Sequence, residues 1–298
     1  MTTNQRSSGG HDVLVVGSAN LDLVATVEHL PAPGETVIGS DYAEHAGGKG
    51  LNQAVAARRA GARTAFLGCL GNDAAGDSLH QLLSSESIDR MVTNVAGPTG
   101  RALIAVDSRA ENSIVVIPGA NSLVSIGVVD DRREAIARAS VVLCQLEIPL
   151  EAVEAALAIA RLGGARTVLN PAPATDLPRG ILELCDIVVP NQHEVAQLGG
   201  TSALLDAGVG TVVITLGARG IRVVTREGEW EIPPFVVRAI DTTGAGDAAC
   251  GALAAALSQG ADVLMAARRA SAAGALAATR RGAVPSLPSA EEIDALVN

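Results

Sequence analysis

Aromatic side chains are nearly absent from this chain of 298 residues, which has one Trp, one Tyr and two Phe. Its apolar content comes mostly from Ala, Val, Leu and Ile, so the core must rely on close helix packing rather than on large rings. Lysine is scarcer still, and Lys49 is the only one. The arginines are scattered and the net charge is −10. That combination argues against a nucleic-acid binder, because counterion release needs clustered basic side chains facing the phosphates. Cys69, Cys144, Cys185 and Cys250 form no CxxC pair, so buried free thiols in a reducing compartment are expected rather than disulfides or a zinc site. The five histidines, His11, His29, His45, His80 and His193, contain no HxxxH pair and predict surface or local hydrogen-bonding roles. A serine hydrolase has no GxSxG support. No run is apolar for long enough to cross a bilayer: the Ala-rich stretch after Asp247 is broken by Gly251, Ser258 and Gln259. Met1 to Asp12 is polar, glycine-rich and without an apolar signal core, which predicts a disordered leader and a cytoplasmic protein.

What the chain does have is an alternation of short apolar runs with helical patterns. The runs Val13 to Val16, Thr64 to Leu67, Val141 to Leu143, Thr167 to Leu169, Ile187 to Val189 and Val212 to Thr215 read as buried parallel strands. Between them, Asn52 to Ala60, Gly76 to Ser84, Leu150 to Leu162 and Glu194 to Leu198 read as helices. The fold class is therefore α/β, a doubly wound and mostly parallel sheet flanked by helices. Two stretches break the rhythm. Leu23 to Glu28 and Val37 to Glu44 are joined by a loop with Pro31, Pro33 and Gly34, while Ala102 to Asp107 and Ser113 to Ile117 form a hairpin pattern. Short returns cannot supply the crossovers a parallel sheet needs, so these strands predict a small β-sheet lid contributed by about residues 19–46 and 99–119. Residues 13–298 then form one α/β domain. Near the C-terminus, a hairpin over Ile221 to Thr225 and Glu229 to Ile232 precedes helices at Ala245 to Leu257, Asp262 to Thr279 and Ala290 to Val297. The first of these is apolar on nearly every face and should be buried.

Two segments carry chemistry. In Asp241-Thr-Thr-Gly-Ala-Gly-Asp247, glycines let the backbone approach a ligand, and the amides of Gly244, Ala245 and Gly246 would open a helix with their unpaired N–H groups directed at an anion. Asp247 would repel a phosphate but suits a base that takes a proton from an attacking hydroxyl. A plain capped turn is the bland alternative, and a loose GxGxxA spacing is a weak dinucleotide signal whose acidic partner is missing, since Asp262 opens a helix. A P-loop is excluded because Lys49 is followed by Gly50. In the second segment, Gly47-Gly-Lys-Gly-Leu-Asn-Gln53, Lys49, Asn52 and Gln53 begin a helix with groups suited to hydroxyls, although in isolation this is also an ordinary polar helix start. Asn20 and Asp22 after the first strand, and Glu147 after the Val141 strand, lie at the carboxyl edge where open α/β sheets bind ligands.

In these residues, and in PAPGET, GNDAAGDSL, NPAPA, VPNQHE, ITLGARG and TRRGAVPS, the chain resembles the ribokinase family of carbohydrate kinases (PfkB type) from about Asp12 to Val297. The resemblance implies phosphoryl transfer from ATP to a sugar, and GSANLD, GGKGLNQ and QLE favour the 5-hydroxyl of D-ribose as acceptor. Siblings acting on deoxyribose, fructose, a keto-deoxy sugar acid or a nucleoside are the alternatives, with a non-catalytic sugar sensor behind them. By carry-over, Asn20, Asp22, Gly48, Lys49, Asn52 and Glu147 hold the sugar, Asp247 is the base, and Asn191, Thr215, Gly217, Gly220, Gly246 and Ser271 surround the nucleotide. Glu194 matches a motif associated with Mg2+ and phosphate. Asp241, Thr243, Ala277, Arg280, Gly282 and Ser286 match a site for an activating K+. The resemblance also implies a homodimer formed through the lid. Two departures stand out: Ala248-Ala249 replaces the family's usual Thr-Phe, and the short stretch from Leu198 to Thr211 predicts a missing or reduced helix.

Overall fold

The computed structural model describes residues 10–109 and 111–298. The leader expected at 1–12 thus lies, up to residue 9, outside the described residues, and Asp12 is tied to the Arg63 guanidinium at 2.7 Å. In chain order, β1 (Val13–Val16) leads into β2 (Asn20–Thr26) and β3 (Asp41–Gly47), and α1 (Lys49–Arg59) follows directly. Next come β4 (Thr64–Gly71), α2 (Ala74–Ser85), β5 (Asp89–Val95), β6 (Gly100–Val106) and β7 (Asn112–Ile117). The middle of the chain holds α3 (Ile126–Asp130), α4 (Arg133–Arg138), β8 (Val141–Cys144), α5 (Leu150–Gly163), β9 (Arg166–Leu169), α6 (Arg179–Glu183) and β10 (Ile187–Val188). After them come α7 (Gln192–Gln197), α8 (Gly200–Asp206), β11 (Thr211–Thr215), β12 (Ile221–Val224) and β13 (Glu229–Ile232). Three helices close the chain: α9 (Ala245–Ser258), α10 (Val263–Ala277) and α11 (Ala290–Val297).

The large sheet runs β13-β12-β11-β10-β9-β8-β1-β4-β5, parallel from β11 to β5 and antiparallel in the β11-β12-β13 edge. Its central strands are buried on both faces, which is why they are apolar without alternation. In β1, Val13 and Val15 enter the core under α1, α9 and α10, while Leu14 and Val16 enter the core under α5. The doubly wound α/β architecture is the one expected. All four cysteines are buried and free. Among the described residues no helix is long and apolar enough to cross a membrane.

A separate four-stranded sheet runs β3-β2-β6-β7, with β2 and β6 parallel and the outer pairs antiparallel. The bounds of its strands differ from expectation, with β6 starting at Gly100 rather than Ala102 and β7 at Asn112 rather than Ser113. β2 starts at Asn20 rather than Leu23, where it pairs with both Gly47 and Gly100, and β3 starts at Asp41 rather than Val37, where it pairs with Thr26 at the end of β2. β5, with its mixed sequence DRMVTNV, is an edge strand that the apolar pattern does not announce. The stretch before β11 keeps a short helix, α8, so it is reduced and not missing.

Helix α9 is buried along nearly its whole length and packs between α1 and α10. Small residues make this approach possible: a Cβ at Gly251 would collide with Ala56, and would lie 2.6 Å from Ala57 N and 2.7 Å from Gln53 O. On the other side, Gly274 of α10 faces Ala249 and the carbonyl of Ala245. Ala248-Ala249 therefore lies buried in a helix pressed closely by its neighbours.

Candidate active site

The close contact of α1 with α9 brings Asp247, in the first turn of α9, onto two amides of α1. Asn52 donates from Nδ2 to Oδ2 at 3.0 Å and Gln53 donates from Nε2 to Oδ1 at 2.9 Å. Burial pushes the Asp247 carboxyl up, and the Glu147 charge adds to this; Lys49 and the two amide donors pull in the opposite direction without cancelling it. Asn52 Oδ1 is buried with no protein partner, an acceptor left unsatisfied beside Asp247.

Glu147, just past β8, caps the start of α1. Its Oε2 accepts from Ser18 Oγ at 2.6 Å and from the Lys49 backbone N–H at 3.0 Å, where the positive end of the helix dipole favours a carboxylate. Ser18 also accepts from Gly50 N at 3.3 Å. The Lys49 side chain is desolvated, which weakens its charge, but Asp247, Glu147, Glu194 and Cys250 more than compensate and raise its pKa. Lys49 is thus a fixed cation among acidic groups.

The lid sheet supplies Asn20 and Asp22, whose spacing of two places both on one face of β2. Asn20 is buried, and its Oδ1 accepts from Asn121 Nδ2 at 2.7 Å. The Asp22 carboxyl lies so close to Gly47 that any side chain there would strike it. Burial, then the charges of Glu147 and Asp247, push Asp22 up to about 7.

On the other side of Asp247 opens a cavity of about 220 Å³ at the carboxyl ends of β9, β10 and β11. Lys49, Asn191, Glu194, Thr215, Gly244, Gly246 and Asp247 line it, whereas Asn20, Asp22 and Glu147 do not. Asn191 and Glu194 also form the capping box of α7, so one Glu194 oxygen is engaged by Asn191 N at 2.8 Å. Gly244 adopts φ 76°, a conformation that favours glycine, and a Cβ on Gly246 would meet nothing within 4 Å. The three amides are not equivalent. Ala245 N–H donates to Thr242 O at 3.2 Å, which corrects the expectation of three unpaired donors and leaves those of Gly244 and Gly246. Gly217 and Gly220 sit in the turn after β11, outside the cavity lining, and Ser271 is buried on α10, also outside it.

A third cluster draws the loop at 241–243 against the loop at 277–286. Asp241 Oδ2 accepts from Gly282 N at 2.8 Å, its Oδ1 accepts from Thr243 N and Oγ1, and its own N–H donates to Ala278 O at 3.2 Å. Burial opposes the Asp241 charge, yet these donors hold its pKa below the usual carboxylate value. Arg280 pairs with Glu292, and Ser286 Oγ donates to Ala283 O at 2.7 Å. Among the described residues no cluster of three or more His, Cys, Asp or Glu could hold a metal by itself.

Sequence reading did not pick out Ser18, Asn121, Gln145 or Asn170 as site residues. Gln145 and Asn170 lie in QLE and NPAPA, motifs that were visible, whereas Asn121 reaches Ala19 and Asn20 from a distant turn and carried no local signal.

The family model for "pfkB family carbohydrate kinase" matches residues 11–290. A ribokinase of Haemophilus influenzae is 42% identical over 293 residues, covering 93% of this chain and 95% of its own. The crystal structure of a ribokinase from Thermotoga maritima superposes with a TM-score of 0.90 at 34% identity, covering 96% of this chain and 98% of that one. An Arabidopsis thaliana ribokinase complexed with ribose and ATP gives a TM-score of 0.87 at 29% identity, covering 97% and 99%. The chain belongs to the pfkB family of carbohydrate kinases.

Proposed function

We propose that this pfkB-family chain is a ribokinase, transferring the γ-phosphoryl group of ATP to the 5-hydroxyl of D-ribose to give ribose 5-phosphate and ADP. The observation that carries this reading is the position of Asp247, between the hydroxyl-binding groups of the lid and α1 and the glycine-lined cavity. Asn20, Asp22, Asn52 and the free oxygen of Glu147 hold the sugar, with Gly48 giving the backbone room and Lys49 reaching from the same helix start. Asp247 takes the hydroxyl proton, the oxygen attacks the γ-phosphorus, and the bond to the bridging oxygen breaks with ADP as leaving group. The Gly244 and Gly246 amides and Lys49 face the charge that grows on the transferring group. Asn191, Thr215, Gly217 and Gly220 border the nucleotide.

Mg2+ fits a site with few carboxylates, since it is commonly held by substrate phosphates, water and one or two protein oxygens; Glu194 is the cavity residue suited to it. Bound there, it neutralises phosphate charge. K+ fits the oxygen-rich pair of loops at 241–243 and 277–286, where Thr243, Ala277, Arg280 and Gly282 offer main-chain carbonyls and Ser286 a hydroxyl. The chain forms a homodimer through its lid sheet, whose β7 is exposed along its length.

ADP release measured across pentoses including 2-deoxyribose, hexoses and nucleosides, with and without potassium, tests this. D-Ribose is expected to rank first and potassium to raise the rate. Another sugar ranking above ribose would remove the ribose assignment and leave a sibling kinase. Asp247→Ala should lower kcat by at least ~10²-fold while ribose binding, read by calorimetry, persists.

A further inference from the structure

Behind Asp247 lies a chain of buried amides of which only Asn170 also borders the cavity, so that ligand contact explains neither Gln53 nor Gln145. Gln53 and Gln145 are both 0% exposed, and Asn170 is buried beside them. The orientation of each amide follows from one main-chain atom. Val189 O can only accept, so Asn170 presents Nδ2 to it at 2.8 Å and turns Oδ1 to Gln53. Gln53 must then present Nε2, which it donates both to Asn170 Oδ1 at 3.0 Å and to Asp247 Oδ1 at 2.9 Å. Its Oε1 faces away and accepts from Gln145 Nε2 at 2.6 Å. The line ends on Gln145 Oε1, which is buried against Gly17 without a hydrogen-bond partner. Unsatisfied buried acceptors are uncommon. This one is the residue of an arrangement that keeps a donor, and not a carbonyl, against the Asp247 carboxylate; the flipped Gln53 would set its Oε1 against a negative oxygen.

We propose that Gln53 is a positioning residue for Asp247, and that Asn170 and Gln145 fix which end of its amide the carboxylate meets. With Asn52 on the other oxygen, both carboxylate oxygens are gripped by neighbouring residues of α1, so the plane of the base is set before substrate arrives. The donor also favours the charged carboxylate, the form able to accept a proton, against the burial that opposes it. The inference rests on the reading of Asp247 as base.

The test is the pH profile of kcat for wild type, Gln53→Leu and Gln145→Met, on the sugar that wild type phosphorylates best. Gln53→Leu should lower kcat at neutral pH by about 10- to 100-fold, hold the sugar KM within about threefold, and move the acidic limb up by about one pH unit. Gln145→Met conserves volume and removes the unpaired oxygen; its limb should move the same way by less, and it stands as the test if the leucine variant does not fold. Limbs unmoved in both variants, or a sugar KM that rises with an unmoved limb, overturn the positioning role. A wild-type protein without sugar-dependent ADP release overturns the kinase reading instead.

Discussion

Asp22 sits in a position that costs the protein stability, because its carboxyl is buried beside two others and its pKa is pushed up to about 7. Between about pH 4, where a free Asp titrates, and pH 7 the folded state binds more protons than the unfolded one, so this group makes stability fall as pH rises. Asp247 and Glu194, also raised, act in the same direction. Asp12, Asp73 and Asp241 are lowered and act at more acidic pH, where stability is lost as pH falls. The unfolding midpoint of Asp22→Asn, followed by calorimetry from pH 5 to 8, is therefore expected to decline less steeply than that of wild type. Parallel curves for the two proteins would show that Asp22 is charged throughout.

At the scale of elements, the pairing of α1 with α9 depends on Gly251. Alanine in mid-helix ordinarily gains about 0.5–1 kcal/mol over glycine, but here the new Cβ would meet the backbone of Gln53 and Ala57. Overpacking of that kind costs about 1–3 kcal/mol, so the clash wins. Gly251→Ala should lower the thermal midpoint and also kcat, since pushing α1 away stretches the Asn52 and Gln53 bonds to Asp247; a stabilised variant of normal activity would refute this. The same helix pair shows what was legible beforehand. Apolar runs such as Val13–Val16 disclosed the strands because burial on both faces is a local property of sequence, and short returns separated the lid from the large sheet. The ends of β2 and β3 were hidden, because they are set by pairing across the sheet, Asn20 with Gly47 and Gly100, and Thr26 with Asp41. The amide chain through Gln145, Gln53 and Asn170 was hidden for a related reason: it exists only where the end of β8, the start of α1 and the end of β9 converge.

For the whole molecule, the lid is the part left uncovered. Ile114 and Val116 point to one face of β7 and are 51% and 49% exposed, an expensive arrangement for a monomer and an ordinary one for half of an interface. Ile114→Lys combined with Val116→Lys should convert the proposed dimer to a monomer in sedimentation velocity, with the main domain still folded. Unchanged sedimentation would place any interface elsewhere.

Lys49 gives the molecule a property of practical use. Apart from whatever α-amine begins the chain, it is the only primary amine present, and it lines the cavity beside Asp247. An acylating reagent therefore has one internal target, and adduct mass on a single peptide becomes a direct reporter of cavity occupancy. Because neighbouring acids keep the ammonium protonated, labelling will be slow at neutral pH and faster in mild alkali.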